Sequence, residues 1–244
     1  MNSKTDRMVI DQESDLKVVL PGDPIELKKK ESLKLGPGLT QTQDSIICIK
    51  AGILNHSKDG KKVWVESNQK RYIPVGGESV LGIVTYKGGE FYRLDIGSAQ
   101  QATLSNTAFE NATKKNRPIL NIGSLVYARV SSANKDMEPE LECINPSTNK
   151  ADGFGELEGG YVIKCSLRYC RKLLLNENSI LSLLKILEQK YEFEMAIGMN
   201  GKIWIKSKTI SDTIICCNII KRAESLNSSN TNADEFKRLL KIFR

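Results

Sequence analysis

Ser79-Val-Leu-Gly-Ile-Val-Thr-Tyr-Lys-Gly-Gly-Glu-Phe-Tyr-Arg-Leu-Asp-Ile96 reads as two β-strands, Ser79–Thr85 and Phe91–Ile96, joined by the glycine turn Lys87-Gly-Gly-Glu90. Side chains alternate across a strand, so Tyr92, Leu94 and Ile96 share one face while Phe91, Arg93 and Asp95 share the other. Downstream, a third short strand covers Gln101–Leu104. A long connection containing Lys114-Lys-Asn-Arg-Pro118 follows, and Leu125–Ser132 and Pro139–Cys143 complete the set. Five strands with a long connection before the fourth match an OB-type barrel.

Upstream of this hairpin, short apolar runs alternate with turn signals. Lys17–Leu20 ends at Pro21-Gly-Asp-Pro24, and Leu33–Leu35 ends at Gly36-Pro-Gly38. Ser45–Lys50 and Lys62–Glu66 flank Asn55-His-Ser-Lys-Asp-Gly60 as a hairpin, which makes this stretch a small all-β module. Downstream of the barrel, Asn145–Gly155 is a turn-rich linker. Tyr161–Lys164 is a strand, after which the period changes. Leu167, Cys170 and Leu174 share a helical face, and Ile180, Leu183, Leu184, Leu187 and Tyr191 form a second stripe. Glu192–Ile197 and Lys202–Lys206 are strands around Gly198-Met-Asn-Gly201. Ser211 is placed to cap a buried helix through Ile220. A terminal helix carries Phe236, Leu239, Leu240 and Phe243. The expected architecture is multidomain β plus α/β. Residues 1–15 are disordered, 16–73 form the N-terminal β domain, 74–146 the barrel, and 147–244 the α/β domain with C-terminal helices.

The 244 residues carry a formal charge of +7, which favours polyanionic partners because Lys and Arg displace counterions from a phosphate backbone. Six cysteines contain no CxxC pair and the chain has one histidine, His56, so neither a zinc site nor histidine-activated nucleophilic catalysis is expected. Acidic residues stand mostly singly or beside lysines, as on ordinary solvated faces, and not in the clusters a metal-dependent nuclease needs. No apolar run approaches the roughly 20 residues that span a bilayer, and the start lacks a signal-peptide core. Free thiols then suggest a reducing compartment. The expectation is a binding protein without cofactor or metal.

Leu35-Gly-Pro-Gly-Leu39, Arg71-Tyr-Ile-Pro74, Lys114-Lys-Asn-Arg-Pro118, Leu125-Val-Tyr-Ala-Arg-Val130 and Gly198-Met-Asn-Gly-Lys-Ile-Trp-Ile205 together resemble the ribosomal RNA-processing protein forty family of eukaryotic RNA exosome cap subunits. The resemblance covers about residues 16–220. It implies an N-terminal β domain, a barrel of the ribosomal-protein S-one type and a K-homology (KH) domain. It also implies a non-catalytic role. Cap subunits sit on a ring of inactive RNase PH-like subunits beside other cap subunits. They guide single-stranded RNA toward a separate 3′-to-5′ exoribonuclease, for rRNA processing and RNA turnover in the nucleus, nucleolus and cytoplasm. The rival readings are a freestanding RNA-binding protein of translation or ribosome biogenesis, and a nuclease.

Within that frame Lys114, Lys115 and Arg117 form the expected RNA contact, since three cations on one loop can follow phosphates without reading bases. Pro118 stiffens the loop's exit. Phe91 could stack on a base with Arg93 beside it, or pack against a neighbouring domain; the third strand offers no second aromatic. Tyr127 and Arg129 carry the same two readings. KH domains grip nucleotides with a GxxG loop between helices. In this chain that place reads Leu175-Asn-Glu-Asn-Ser179, without glycine, and the clamp is expected to be lost. Gly198, Asn200 and Gly201 lie instead between strands and are, by the resemblance, a structural motif packing on the barrel. Gly36, Pro37 and Gly38 are expected at a subunit contact. Trp64 and Trp204 are expected in cores, and Lys28–Lys30 is too short to mark a nuclear signal.

Overall fold

The structure is a computed structural model that describes residues 17–25, 33–43, 45–57, 59, 61–134, 136–174, 184–185 and 187–226. The expected disorder of residues 1–15, the Lys28–Lys30 run, Leu175–Ser179, Ile180, Leu183 and the terminal helix around Phe236 lie outside the described residues. Two compact units divide near Asn68.

The N-terminal unit contains β1 (Val18–Val19), β2 (Pro24–Ile25), β3 (Lys34–Leu35), β4 (Leu39–Gln41), β5 (Ile46–Cys48), β6 (Gly52–His56) and β7 (Lys62–Glu66). They form one sheet ordered β1-β6-β7-β3 and another ordered β2-β5-β4. Val19, Ile25, Leu39, Cys48, Leu54, Val63 and Val65 make the shared core. The sequence pairs Ser45–Lys50 with Lys62–Glu66, and this pairing is corrected. The strand that pairs with β7 is β6, while β5 belongs to the second sheet. β6 opens on a glycine and closes on Asn55-His56, residues that do not read as strand. Gly52 is required there, because a Cβ would lie 2.4 Å from the Glu66 carbonyl oxygen. Trp64 is half-buried on the sheet face opposite Val63 and Val65, so it is not a core residue as expected.

The second unit begins with β8 (Ser79–Lys87), β9 (Phe91–Asp95), β10 (Ala102–Phe109), β11 (Leu125–Ser132), β12 (Glu140–Cys143) and β13 (Gly155–Leu157). The sheet order is β12-β10-β9-β8-β11-β13, and β12 also pairs with β11, which closes a five-stranded barrel with β13 outside it. Tyr92, Leu94 and Ile96 are buried as the alternation requires, with Leu104, Leu120, Val126, Ala128 and Val130 filling the same core. Each fully buried Leu, Ile or Val side chain contributes on the order of 1.5–3 kcal/mol. Two features exceed the sequence expectation. β10 runs on to Phe109, and Gly155–Leu157, at the end of the expected linker, pairs with β11.

The remaining elements are β14 (Tyr161–Lys164), α1 (Leu167–Leu174), β15 (Phe193–Ile197), β16 (Lys202–Ser207) and α2 (Ile210–Leu226). The antiparallel sheet β14-β16-β15 packs its Ile163, Ile203 and Ile205 against Tyr169, Cys170 and Leu173 of α1 and Cys216, Ile219 and Ile220 of α2. Leu173 is buried and Leu174 is 40% exposed, so the helix face is turned one residue from that expected. Ser166 caps α1 by accepting from the Tyr169 N–H at 3.3 Å, and Glu224 Oε1 accepts from the Ser166 N–H at 2.6 Å. The cap of α2 is Thr209, not Ser211. Thr209 Oγ1 accepts from the Asp212 N–H at 3.1 Å and donates to the Asp212 carboxylate at 2.7 Å. All six cysteines are free thiols, and burial pushes Cys143 and Cys170 up to about 12 and Cys216 to about 11. Among the described residues no helix is long and apolar enough to cross a membrane.

Candidate nucleic-acid interface

The connection from β10 to β11 carries the cations, and its anchors determine where they stand. Thr113 and Asn116 close a tight turn, with the Thr113 N–H donating to Asn116 O at 2.7 Å and the Asn116 N–H to Thr113 Oγ1 at 3.1 Å. Lys114 and Lys115 occupy the tip of this turn and are exposed. Arg117, also exposed, donates from Nη1 to the Gly89 carbonyl at 2.8 Å, which ties the loop to the β8–β9 hairpin. The buried Tyr92 hydroxyl then donates to Pro118 O at 3.1 Å and accepts from the Leu120 N–H at 3.2 Å. The exit is thus pinned from inside the barrel. Glu110, the nearest carboxylate along the chain, accepts from the Ala151 N–H at 2.6 Å. Among the described residues no carboxylate pairs with Lys114, Lys115 or Arg117. Three cations on a loop held at tip, middle and exit can face a sugar-phosphate strand with little ordering cost left to meet.

Phe91 and Arg93 stand elsewhere, on the outer face of β9. Phe91 is 39% exposed, its ring centroid 6.3 Å from that of Tyr86 and 6.0 Å from the Arg93 guanidinium carbon. They line a groove of about 550 Å³ with Glu90, Glu138, Glu140 and Glu142. Arg93 approaches Glu138 to 3.7 Å, and Arg129 on β11 is ion-paired with Glu142. Four carboxylates against one lining guanidinium give this groove a negative field, which opposes phosphate. Tyr127 is an internal contact, its ring stacked on Phe154 at 5.0 Å and its hydroxyl donating to Ile197 O at 3.4 Å.

Gly198-Met-Asn-Gly201 is the turn between β15 and β16, and it enters the barrel. Asn200 is 8% exposed. Its Nδ2 donates to Leu81 O and Ile96 O, both at 2.8 Å, and its Oδ1 accepts from the Leu81 N–H at 3.2 Å. The Met199 N–H donates to Ser79 O at 2.8 Å, and Lys202 Nζ donates to Asp95 O at 3.2 Å. Gly201 has φ +77°, where only glycine is unstrained. Every polar atom of the Asn200 side chain is engaged by the barrel. Trp204, 4% exposed, packs with Leu81 and Ala196 in the same joint and donates to Gly159 O at 2.8 Å. Gly36-Pro37-Gly38 lies in the N-terminal unit along β7, with Gly36 N–H donating to Val63 O at 2.7 Å and Val65 N–H to Pro37 O at 3.0 Å. A Cβ on Gly36 would fall 2.6 Å from Trp64 Cβ, so the turn is pressed against that strand. Among the described residues no three His, Cys, Asp or Glu side chains come together as a metal-binding group. The anchors Tyr92 and Gly89 escape sequence reading, because only the folded barrel brings them to the loop.

Comparison with known families places these domains. Residues 33–71 match the model of the exosome complex exonuclease Rrp40 N-terminal domain, residues 72–155 that of the S1 domain of exosome complex component RRP40, and residues 160–211 a KH domain. The exosome complex component rrp40 of Schizosaccharomyces pombe is 43% identical over 226 residues, covering 89% of this chain and 92% of that protein. The Drosophila melanogaster component RRP40 is 44% identical over 211 residues, with 85% and 89% covered. That of Saccharomyces cerevisiae is 37% identical over 231 residues, with 91% and 95% covered. A crystal structure of a candidate exosome complex RNA-binding protein superposes with a TM-score of 0.56 at 23% identity, over 71% of this chain and 95% of that one, and shares the fold. With an N-terminal β domain, a closed S1 barrel and a KH domain followed by a helix, the chain belongs to the RRP40 family of exosome complex components.

Proposed function

We propose that this chain is a non-catalytic, RNA-binding cap subunit of the exosome. In this reading it guides single-stranded RNA into the ring channel for 3′-to-5′ processing and decay, and stabilises an RNase PH-like ring. The nucleus, nucleolus and cytoplasm belong to the same proposal. The observation that carries it is the anchored and exposed set Lys114, Lys115 and Arg117, without an ion pair among the described residues, on a barrel of this family. Such a loop contacts phosphates and reads no base, which suits a subunit that must pass any sequence. The acidic groove beside Phe91 and Arg93 directs the strand to the loop, so these two residues contribute less than the lysines. The Asn200 turn has a structural duty, since its side chain is fully engaged by the barrel backbone.

The test is the salt dependence of binding to a single-stranded oligouridine. Replacing Lys114, Lys115 and Arg117 together by Ala should flatten the log–log slope by about two to three. Replacing Phe91 and Arg93 by Ala should leave that slope within about one of the parent. An unchanged slope in the triple variant rejects the loop as the RNA contact.

A further inference from the structure

The guanidinium of the loop rests on a carbonyl that a second, buried group also holds. Gly89 O accepts from Arg117 Nη1 at 2.8 Å and from Asn106 Nδ2 at 2.9 Å, and a carbonyl oxygen has two lone pairs to serve both. Asn106 lies on β10 at a position turned inward, only 3% exposed. Its backbone N–H donates to Glu90 O at 3.0 Å, so main chain and side chain together hold the closing residues of the β8–β9 hairpin. The other end of the amide, Oδ1, is buried without a partner. An apolar side chain of similar volume would fill this place and bury no orphan acceptor. The amide therefore serves its donor end, and the atom it serves is the seat of Arg117.

We propose that Asn106 is a positioning residue for RNA, fixing the Gly89 carbonyl and through it the point at which Arg117 meets a phosphate. The hairpin's own closing bond runs from the Gly88 N–H to Phe91 O at 2.8 Å, whereas the side chains that hold Gly89 O come from outside the hairpin. Asn106 supplies one of them from the barrel wall. The inference rests on the loop being the RNA contact, and it concerns geometry, since the charge of Arg117 is the same with or without its seat.

The full chain should be titrated with single-stranded oligouridine of about 12 nucleotides, within the range one such barrel engages. Asn106→Leu should weaken binding roughly three- to tenfold and lower the salt slope by about one, as for loss of one phosphate contact. In an Arg117→Ala background the same substitution should change neither quantity. Equal weakening with and without Arg117, or an unchanged slope, would show a merely structural residue and overturn the proposal. Should Asn106→Leu fail to fold, the unaltered chain decides by NMR. The Asn106 side-chain amide and the Arg117 guanidinium signals should shift together at one titration midpoint; an Asn106 signal that stays still while Arg117 moves overturns it equally. Failure of the underlying reading looks different: Arg117→Ala, alone and with both lysines replaced, would bind as the parent does.

Discussion

Asn200 and Lys202 sit two residues apart and both reach from the KH sheet into the barrel, yet their energetics differ. Asn200 is fully satisfied by three hydrogen bonds to the backbone of β8 and the end of β9, which makes it a neutral peg matched to its hole. Asn200→Ala strips these partners and leaves buried backbone groups unpaired, so it should cost about 1–3 kcal/mol in urea unfolding. Lys202 is 9% exposed, and burial lowers the pKa of its ammonium; the Asp95 charge partly offsets this, and Lys164 adds to the lowering. A lysine whose folded pKa lies below its unfolded value destabilises the fold while both states are charged. That penalty fades as pH rises through the folded pKa toward the unfolded one. Relative to Lys202→Met, which keeps the apolar stem, the parent chain should therefore gain stability between neutral pH and pH about 10.5, the unfolded lysine value. A difference that is flat or falls with pH would show that the ammonium is not desolvated there.

At the scale of elements, the cap of α2 shows how local a sequence signal must be before it can mislead. Ser211 is a good capping residue by type, but the chain enters the helix two residues earlier, where Thr209 and Asp212 satisfy one another. Thr209→Ala should cost about 1 kcal/mol, while Ser211→Ala should be near neutral, read from paired thermal or urea melts. The same logic separates what was legible from what was not. The alternation in Phe91–Asp95 is a period-two signal with one buried face, and the fold obeys it residue by residue. Gly52–His56 and Gly155–Leu157 carry no such signal, because their strand state comes from pairing with β7 and β11. Ser105-Asn-Thr107 likewise reads as polar loop, although it continues β10 and turns Asn106 inward. In the candidate site, the loop cations are visible as a charge run. The groups that anchor their loop across the fold are 26 to 28 residues away in sequence, and only the folded barrel brings them near. The charge was readable; the preorganisation was not.

In the molecule as a whole, barrel and KH domain share a joint built from Leu81, Ala196 and Trp204 with the Asn200 turn beside it, so the second unit carries the Lys114–Arg117 loop and its bracing as one body. RNA contact and assembly can therefore be separated by experiment. The loop cations are exposed and make no ion pair among the described residues, and their removal takes away no buried apolar contact. Surface substitutions of that kind usually change stability by no more than about 0.5 kcal/mol. On the proposed reading, the chain lacking Lys114, Lys115 and Arg117 should still recover RNase PH-like proteins from cell extract at equal stoichiometry, while its crosslinking to RNA falls. Loss of those proteins together with RNA would instead make the loop a subunit contact. Retention of RNA crosslinking with the ring intact would send the RNA path over another surface of the barrel. A parent chain that binds RNA tightly and recovers no ring proteins would be a freestanding RNA-binding protein. The loop variant thus separates ring assembly from RNA contact, because removing these exposed charges costs one surface hydrogen bond, from Arg117 to Gly89 O, and no buried contact.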